Sequence, residues 1–329
     1  MAEDKEFIYA VTRVHVQETH LLSRQDMEQL IAAGSIEEAF RLLADKGWGT
    51  AETPAGDIDA LIEAETRKIW DLVEELAGDV APFNVFRYAS DFHNLKAAIK
   101  LAYTGNDEAE QAHYFLPFGT VEIDKIKKAA NERDFSALPS NMAEAGRRAH
   151  EVLYQTGNGQ LCDMAIDCAA LAAIDEAGKS TDSALLRRYA EITVDSANIK
   201  AAVRCSRMHK SRDFVEKAIA PAGTLDYKAL VDAAATGDDE ALLHYLGTTP
   251  YAGVVGALQE SVASFERWCD NEMIRMIRPQ KNNYFTIEPL AAFILGRENE
   301  IRMVRLILSV KTNRLSDDVL RERLRETYV

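Results

Sequence analysis

A nine-residue phrase is written twice in this 329-residue chain and paraphrased once more. Asp91-Phe92-His93-Asn94-Leu95-Lys96-Ala97-Ala98-Ile99 returns as Asp195-Ser196-Ala197-Asn198-Ile199-Lys200-Ala201-Ala202-Val203. A looser copy, Glu298-Asn299-Glu300-Ile301-Arg302-Met303-Val304, sets Glu300 at the Asn position, and the intervals are 104 and 102 residues. Solenoid repeats have periods up to roughly 50 residues, whereas a domain starts at about 50 residues. A second landmark keeps the register: Gly119-Thr120-Val121 and Gly223-Thr224-Leu225 are also 104 residues apart. Apolar residues at helical spacing follow each, Ile123, Ile126, Ala129 and Ala130 in one case, Tyr227, Leu230, Val231 and Ala234 in the other. Leu22-Ser23 is followed in the same way by Met27, Leu30 and Ile31. Three similar domains are therefore expected, over residues 1–110, 111–213 and 214–329. The junctions fall in loops at Gly105-Asn106-Asp107 and Lys210-Ser211-Arg212-Asp213.

The periodicity is helical nearly everywhere. Ile58, Leu61, Ile62, Ile69, Leu72, Val73 and Leu76 recur every three or four residues and so share one face. Asp57 stands where an N-cap is wanted, and Gly78 where a left-handed residue ends a helix. Ser316, Asp317 and Asp318 read as the start of a last helix with Val319, Leu320 and Leu324 as its stripe. Sustained alternation of period two is missing, so the expected fold class is all-α.

Composition removes several functions. A net charge of −15 argues against a general nucleic-acid binder. The charge is uneven: from Arg275 onward 11 Lys/Arg face 7 Asp/Glu. That stretch is either a set of solvated helix faces or a basic contact surface. Cys162, Cys168, Cys205 and Cys269 show no disulfide, redox or zinc spacing and read as small core residues in a reducing compartment. The acidic N-terminus has no signal-peptide core, and no apolar run approaches the roughly 20 residues of a spanning helix.

No catalytic, cofactor or metal motif is present. A P-loop is lacking, and Gly157-Asn158-Gly159 has neither the third glycine nor the preceding strand of a dinucleotide loop, so it reads as a turn. His15 and His20 lie about 140° apart around a helix. The phrase itself reads as structural. Leu95, Ala98 and Ile99 share a face, and Asn can tie two elements through both ends of its amide. Asp91 and Asp195 are expected near a helix N-terminus, where negative charge is favourable. Asp91, Asn94, Lys96, Asp195, Asn198 and Lys200 are thus signature residues of the repeat, not a catalytic set.

The Asp-x-x-Asn-Leu/Ile-Lys-Ala-Ala phrase, with the ending Glu298-Asn299-Glu300-Ile301-Arg302…Lys311-Thr312-Asn313-Arg314…Tyr328, resembles the C/d-type subunit family of vacuolar-type and archaeal-type rotary ATPases. The resemblance extends from Phe7 to Val329. It implies three helical domains about a pseudo-threefold axis, forming a funnel, and a non-catalytic role without cofactor. One copy per complex would sit peripherally on the cytoplasmic face of the membrane, between central-stalk subunits (D and F type) and the proteolipid ring, transmitting rotation. Arg275, Arg278, Lys281 and Arg302 then become candidates for partner contact. The competing expectation is a soluble helical scaffold or adaptor unrelated to ion pumping, holding partner helices in its grooves.

Overall fold

The computed structural model describes residues 2–105, 112–313, 315, 320, 321 and 323–329, with side chains from residue 8 onward. Among the described residues there are fifteen α-helices and no strand, the all-α class that the periodicity predicts. In chain order they are α1 (Ala2–Glu18), α2 (Arg24–Ala32), α3 (Ile36–Asp45), α4 (Ile58–Leu76), α5 (Tyr88–Thr104), α6 (Ile123–Glu132), α7 (Ser140–Thr156) and α8 (Gly159–Ser180). There follow α9 (Ala184–Arg207), α10 (Arg212–Ala218), α11 (Tyr227–Ala235), α12 (Asp239–Gly247), α13 (Val254–Glu260), α14 (Val262–Ile277) and α15 (Glu288–Thr312). Two compact units result, one of Met1–Val80 with Gly256–Val329, the other of Ala81–Val255.

In the unit of residues 81–255, α5, α6, α7 and α8 share a core of Leu95, Ile99, Ile126, Phe135, Met142, Cys162 and Ile166. The Gly157-Asn158-Gly159 turn joins α7 to α8. Gly157 takes the left-handed conformation, and the Asn158 side chain caps α8 by accepting from the Gln160 and Leu161 N–H groups. Helices α8 and α9 form a hairpin across Thr181-Asp182-Ser183. Its seam is close, because a Cβ on Gly178 would collide with the Ala190 methyl. Helices α10, α11 and α12 also pack against α9, and α10 against α8.

The second unit is built on α15, which is buried along most of its length from Pro289 to Val310. A helix apolar on so many sides belongs in the interior, and α1, α2, α3, α4 and α14 pack against it. The α4 stripe is buried at Leu61, Ile62, Ile69, Leu72 and Val73, with Asp57 capping through the Ala60 N–H and Gly78 at φ +62°. The Lys311 ammonium, near the end of α15, donates to the Ile31 and Ala33 carbonyls at 2.8 and 2.6 Å. It thereby supplies the C-terminus of α2 with the cation that unpaired carbonyls favour.

Two local expectations change. Asp91 does lie in the first turn of α5, but Asp195 sits in the middle of α9. Ser183 caps that helix further upstream, so the helix dipole explains nothing about Asp195. Arg212 and Asp213 are not loop residues: they open the short helix α10, after Ser211. Asn106, Asp107, Arg314, Ser316, Asp317, Asp318 and Val319 lie outside the described residues, whereas Leu320 is buried.

Candidate functional site

The repeated phrase makes a clasp whose target lies 22 to 30 residues further along the chain. Asn94 is fully buried on α5, and its amide donates to the Leu116 carbonyl while accepting from the Leu116 N–H, both at 2.8 Å. One turn earlier the Asp91 carboxylate accepts from the Thr120 hydroxyl at 2.6 Å and the Val121 N–H at 3.1 Å. The second copy repeats the pattern on α9. Asn198 donates to the Ala220 and Ala222 carbonyls and accepts from the Ala220 N–H at 2.9 Å. Asp195 accepts from the Thr224 hydroxyl at 2.5 Å and the Thr224 and Leu225 N–H groups at 2.9 and 3.4 Å. The two sequence landmarks are therefore the two halves of one contact. The phrase supplies acceptors, and the Gly-Thr entry of the following repeat supplies donors.

The glycine in that entry is explained by proximity. A Cβ on Gly119 would overlap the Asp91 carboxylate, and one on Gly223 the Asp195 carboxylate. Only Gly223 of the two has a left-handed backbone, φ +90°, so close approach is the property they share. The second clasp has one more member: the buried Tyr251 phenol donates to Asp195 at 2.8 Å. Burial, and then the Asp195 charge, raise the Tyr251 pKa and keep that donor protonated. Lys96 extends the first clasp outward, pairing with Asp167 of α8 at 2.7 Å. Lys200 is partly buried on α9.

The third copy keeps the clasp with different chemistry. Glu300 accepts from the Leu22 N–H at 3.0 Å, so the last phrase grips the entry of the first repeat. Arg297 stands where the other copies have Asp. Its guanidinium pairs with Glu300 at 2.8 Å and with the fully buried Glu65, and lies 4.5 Å from the Trp48 ring. Lys68 and the Gly49 N–H complete the partners of Glu65, at 2.7 and 2.6 Å. The two buried carboxylates thus meet one buried cation, Arg297, and one that reaches in from the surface, Lys68, the pairing that a buried charge requires. Burial raises the Glu300 pKa, and the Arg297 charge only partly opposes it.

All four basic residues singled out at the C-terminal end have internal partners. Arg275 pairs with Glu272 at 2.6 Å and with Glu326 at 2.7 Å, and Arg278 pairs with Glu326 at 2.8 Å. The Lys281 ammonium lies 4.3 Å from the Tyr328 ring centroid. Arg302 is within 3.5 Å of Asp270 and 3.6 Å of Glu298. Three of the four, Arg275, Arg278 and Lys281, are thereby gathered around the last residues of the chain.

A profile of the ATP synthase (C/AC39) subunit family aligns with residues 10–323. The chain belongs to that family. The C subunit of the V-type sodium ATPase of Enterococcus hirae is 24% identical over 322 residues, covering 95% of this chain and 96% of the relative. The C subunit of the A-type ATP synthase of Methanocaldococcus jannaschii is 22% identical, covering 97% of this chain and 86% of its own. Its counterpart from the A-type ATP synthase of Thermococcus kodakarensis is 19% identical, with 96% and 89% covered.

Several other reactive groups of this C/AC39 family member have partners within the chain. Cys162 and Cys205 are buried, and Cys162 and Cys168 have thiol pKa values raised to about 11, first by burial and then by nearby Asp side chains. A thiol held protonated in this way is a poor nucleophile. His15 meets the Lys281 carbonyl, and His93 the Tyr114 carbonyl. His150 stacks on Tyr154 at 4.1 Å, with its pKa lowered by burial and then by Arg133. No group of three or more His, Cys, Asp or Glu among the described residues could hold a metal ion. The Arg297–Glu65 centre and the Lys311 cap have no local sequence signal, because their partners are more than 200 residues apart.

Proposed function

We propose that this chain is the non-catalytic central-rotor coupling subunit of a V/A-type ATPase or ATP synthase, linking the central stalk to the membrane proteolipid ring and transmitting rotation for ion transport or ATP synthesis. The observation that carries the reading is the family match over residues 10–323, with relatives named as C subunits aligned nearly end to end. In this reading the repeats over residues 1–110, 111–213 and 214–329 are three helical domains set about a pseudo-threefold axis as a funnel. One copy serves each complex, on the cytoplasmic face. Its partners are stalk subunits of the D and F type and the ring, with Arg275, Arg278, Lys281 and Arg302 on the contact surface. No described helix is long and apolar enough to cross a membrane, so the proposal assigns attachment to contacts with the ring.

The clasps suit a part that carries torque. A joint between repeats yields at its weakest contact, and here each joint is closed by buried hydrogen bonds to charged or bidentate side chains. Such bonds contribute about 1.5–3 kcal/mol each when an ionised group takes part, and interiors packed to crystal density resist deformation.

Affinity purification of the tagged chain from native membranes tests the proposal. The expected result is recovery of proteolipid together with stalk subunits, and photo-cross-links from positions 275, 281 and 302 to one or the other. Recovery of the chain with neither would overturn it and favour the scaffold reading.

A further inference from the structure

The last five residues of the chain are bound to their own unit like a ligand in a groove. The Glu326 N–H donates to the Asn271 side chain at 2.8 Å, and the Glu326 carbonyl accepts from Asn299 at 3.1 Å. The Glu326 carboxylate takes Arg275 and Arg278 together, and Arg278 also donates to the Thr327 carbonyl. Burial works against the ionised Glu326, but these two guanidinium groups outweigh it and lower its pKa. Arg325 pairs with Asp270. Tyr328 is 5% exposed and seated over Gly296, where a Cβ would come within 2.7 Å of its ring. Its phenol donates to the buried Glu18 of α1 at 2.7 Å, and Lys281 lies against its ring. A cavity of about 530 Å³ flanks the segment, bordered by Arg24, Asn271, Arg278 and Glu326.

We infer that Arg325–Val329 is a self-supplied occupant that engages the cations Arg275, Arg278 and Lys281 in place of an external acidic segment. The groove accepts an acidic residue followed two positions later by an aromatic one, the pattern of Glu326 and Tyr328. An acidic partner segment therefore competes with the tail for these cations. The observations separate this from incidental packing. The Arg325, Glu326 and Tyr328 side chains each have a partner on α1, α14 or the turn at Arg278–Asn282, and Gly296 of α15 leaves the space that the ring fills. The inference concerns occupancy of the groove and does not depend on which complex the chain joins.

A labelled peptide with the sequence of residues 324–329 tests it on purified protein. The chain ending at Leu324 is expected to bind the peptide at low salt at least tenfold more tightly than the full-length chain. Replacing the Glu or the Tyr of the peptide should cost tenfold or more. Should the shortened chain fail to fold, as read by circular dichroism, full-length Glu326→Gln decides. With Arg278 no longer neutralised and Arg275 left with Glu272 alone, it is expected to bind polyglutamate at least tenfold more tightly than the unmodified chain, and to show faster amide exchange at the C-terminal end of α1. Equal binding of polyglutamate by both full-length proteins, or equal binding of the tail peptide by full-length and shortened chains, would overturn the inference.

Discussion

Asparagine suits the centre of the clasp because one planar amide presents a donor and an acceptor side by side, matching the N–H and C=O of an extended segment. Asn198→Ala leaves the Ala220 N–H and two carbonyls without side-chain partners in the interior. The Ala220 carbonyl keeps the Ala222 N–H, so at about 1–3 kcal/mol for each of the two other groups the expected loss is about 2–6 kcal/mol, read as a lowered midpoint in urea unfolding. Gly223→Ala is expected to cost about 3 kcal/mol or more, since it adds a collision with Asp195 to a left-handed backbone. Wild-type-like stability in that variant would contradict the contact. Glu300 makes a pH prediction. Its pKa is higher in the folded chain than the ordinary value of 4.5, so the folded state binds its proton more readily than the unfolded one. Its favourable contribution is complete below the unfolded pKa and is lost as pH rises through the folded one. The stability of the wild type relative to Glu300→Gln should therefore fall as pH rises above about 4.5. A constant or increasing difference over that range would refute the direction.

At the scale of elements, sequence reveals whatever depends on near neighbours in the chain. The α4 stripe, its Asp57 cap, the Gly78 terminus and the Gly157-Asn158-Gly159 turn all follow from side chains a few positions apart, and the structure has each of them. The place of Asp195 is hidden for the complementary reason. Its phrase is indistinguishable locally from that of Asp91, but helix α9 begins well upstream. Likewise the Gly-Thr landmark is recognisable as a repeat, whereas its role is not, because its partner is 28 to 30 residues away with no helical phase to connect them. Distant supports of this kind can matter as much as local caps. Lys311→Met keeps the stem but removes the ammonium from the end of α2, and the expected cost is about 1–2 kcal/mol. Hydrogen exchange should locate the effect in the last turn of α2 rather than throughout the unit.

For the molecule as a whole, sequence repeats and compact units have different boundaries, because each clasp binds across a repeat junction. The unit of residues 81–255 contains two complete clasps, and expressed alone it is expected to be helical and to unfold cooperatively. A chain truncated after residue 255 should keep that transition. It should also leave α1 to α4 rapidly exchanging, since α15, which carries Glu300, Arg297 and Lys311, is gone. Equal protection of α1 to α4 in the truncated and full chains would count against this division. The third clasp also sets an order of events during synthesis. Leu22 leaves the ribosome 278 residues ahead of the glutamate that will hold it. At roughly 5–20 residues per second, that is a wait on the order of 15–55 s. Throughout that interval the apolar faces of the first four helices have no α15 to cover them. The beginning of the nascent chain, rather than its middle, is where holdase chaperones should be found bound.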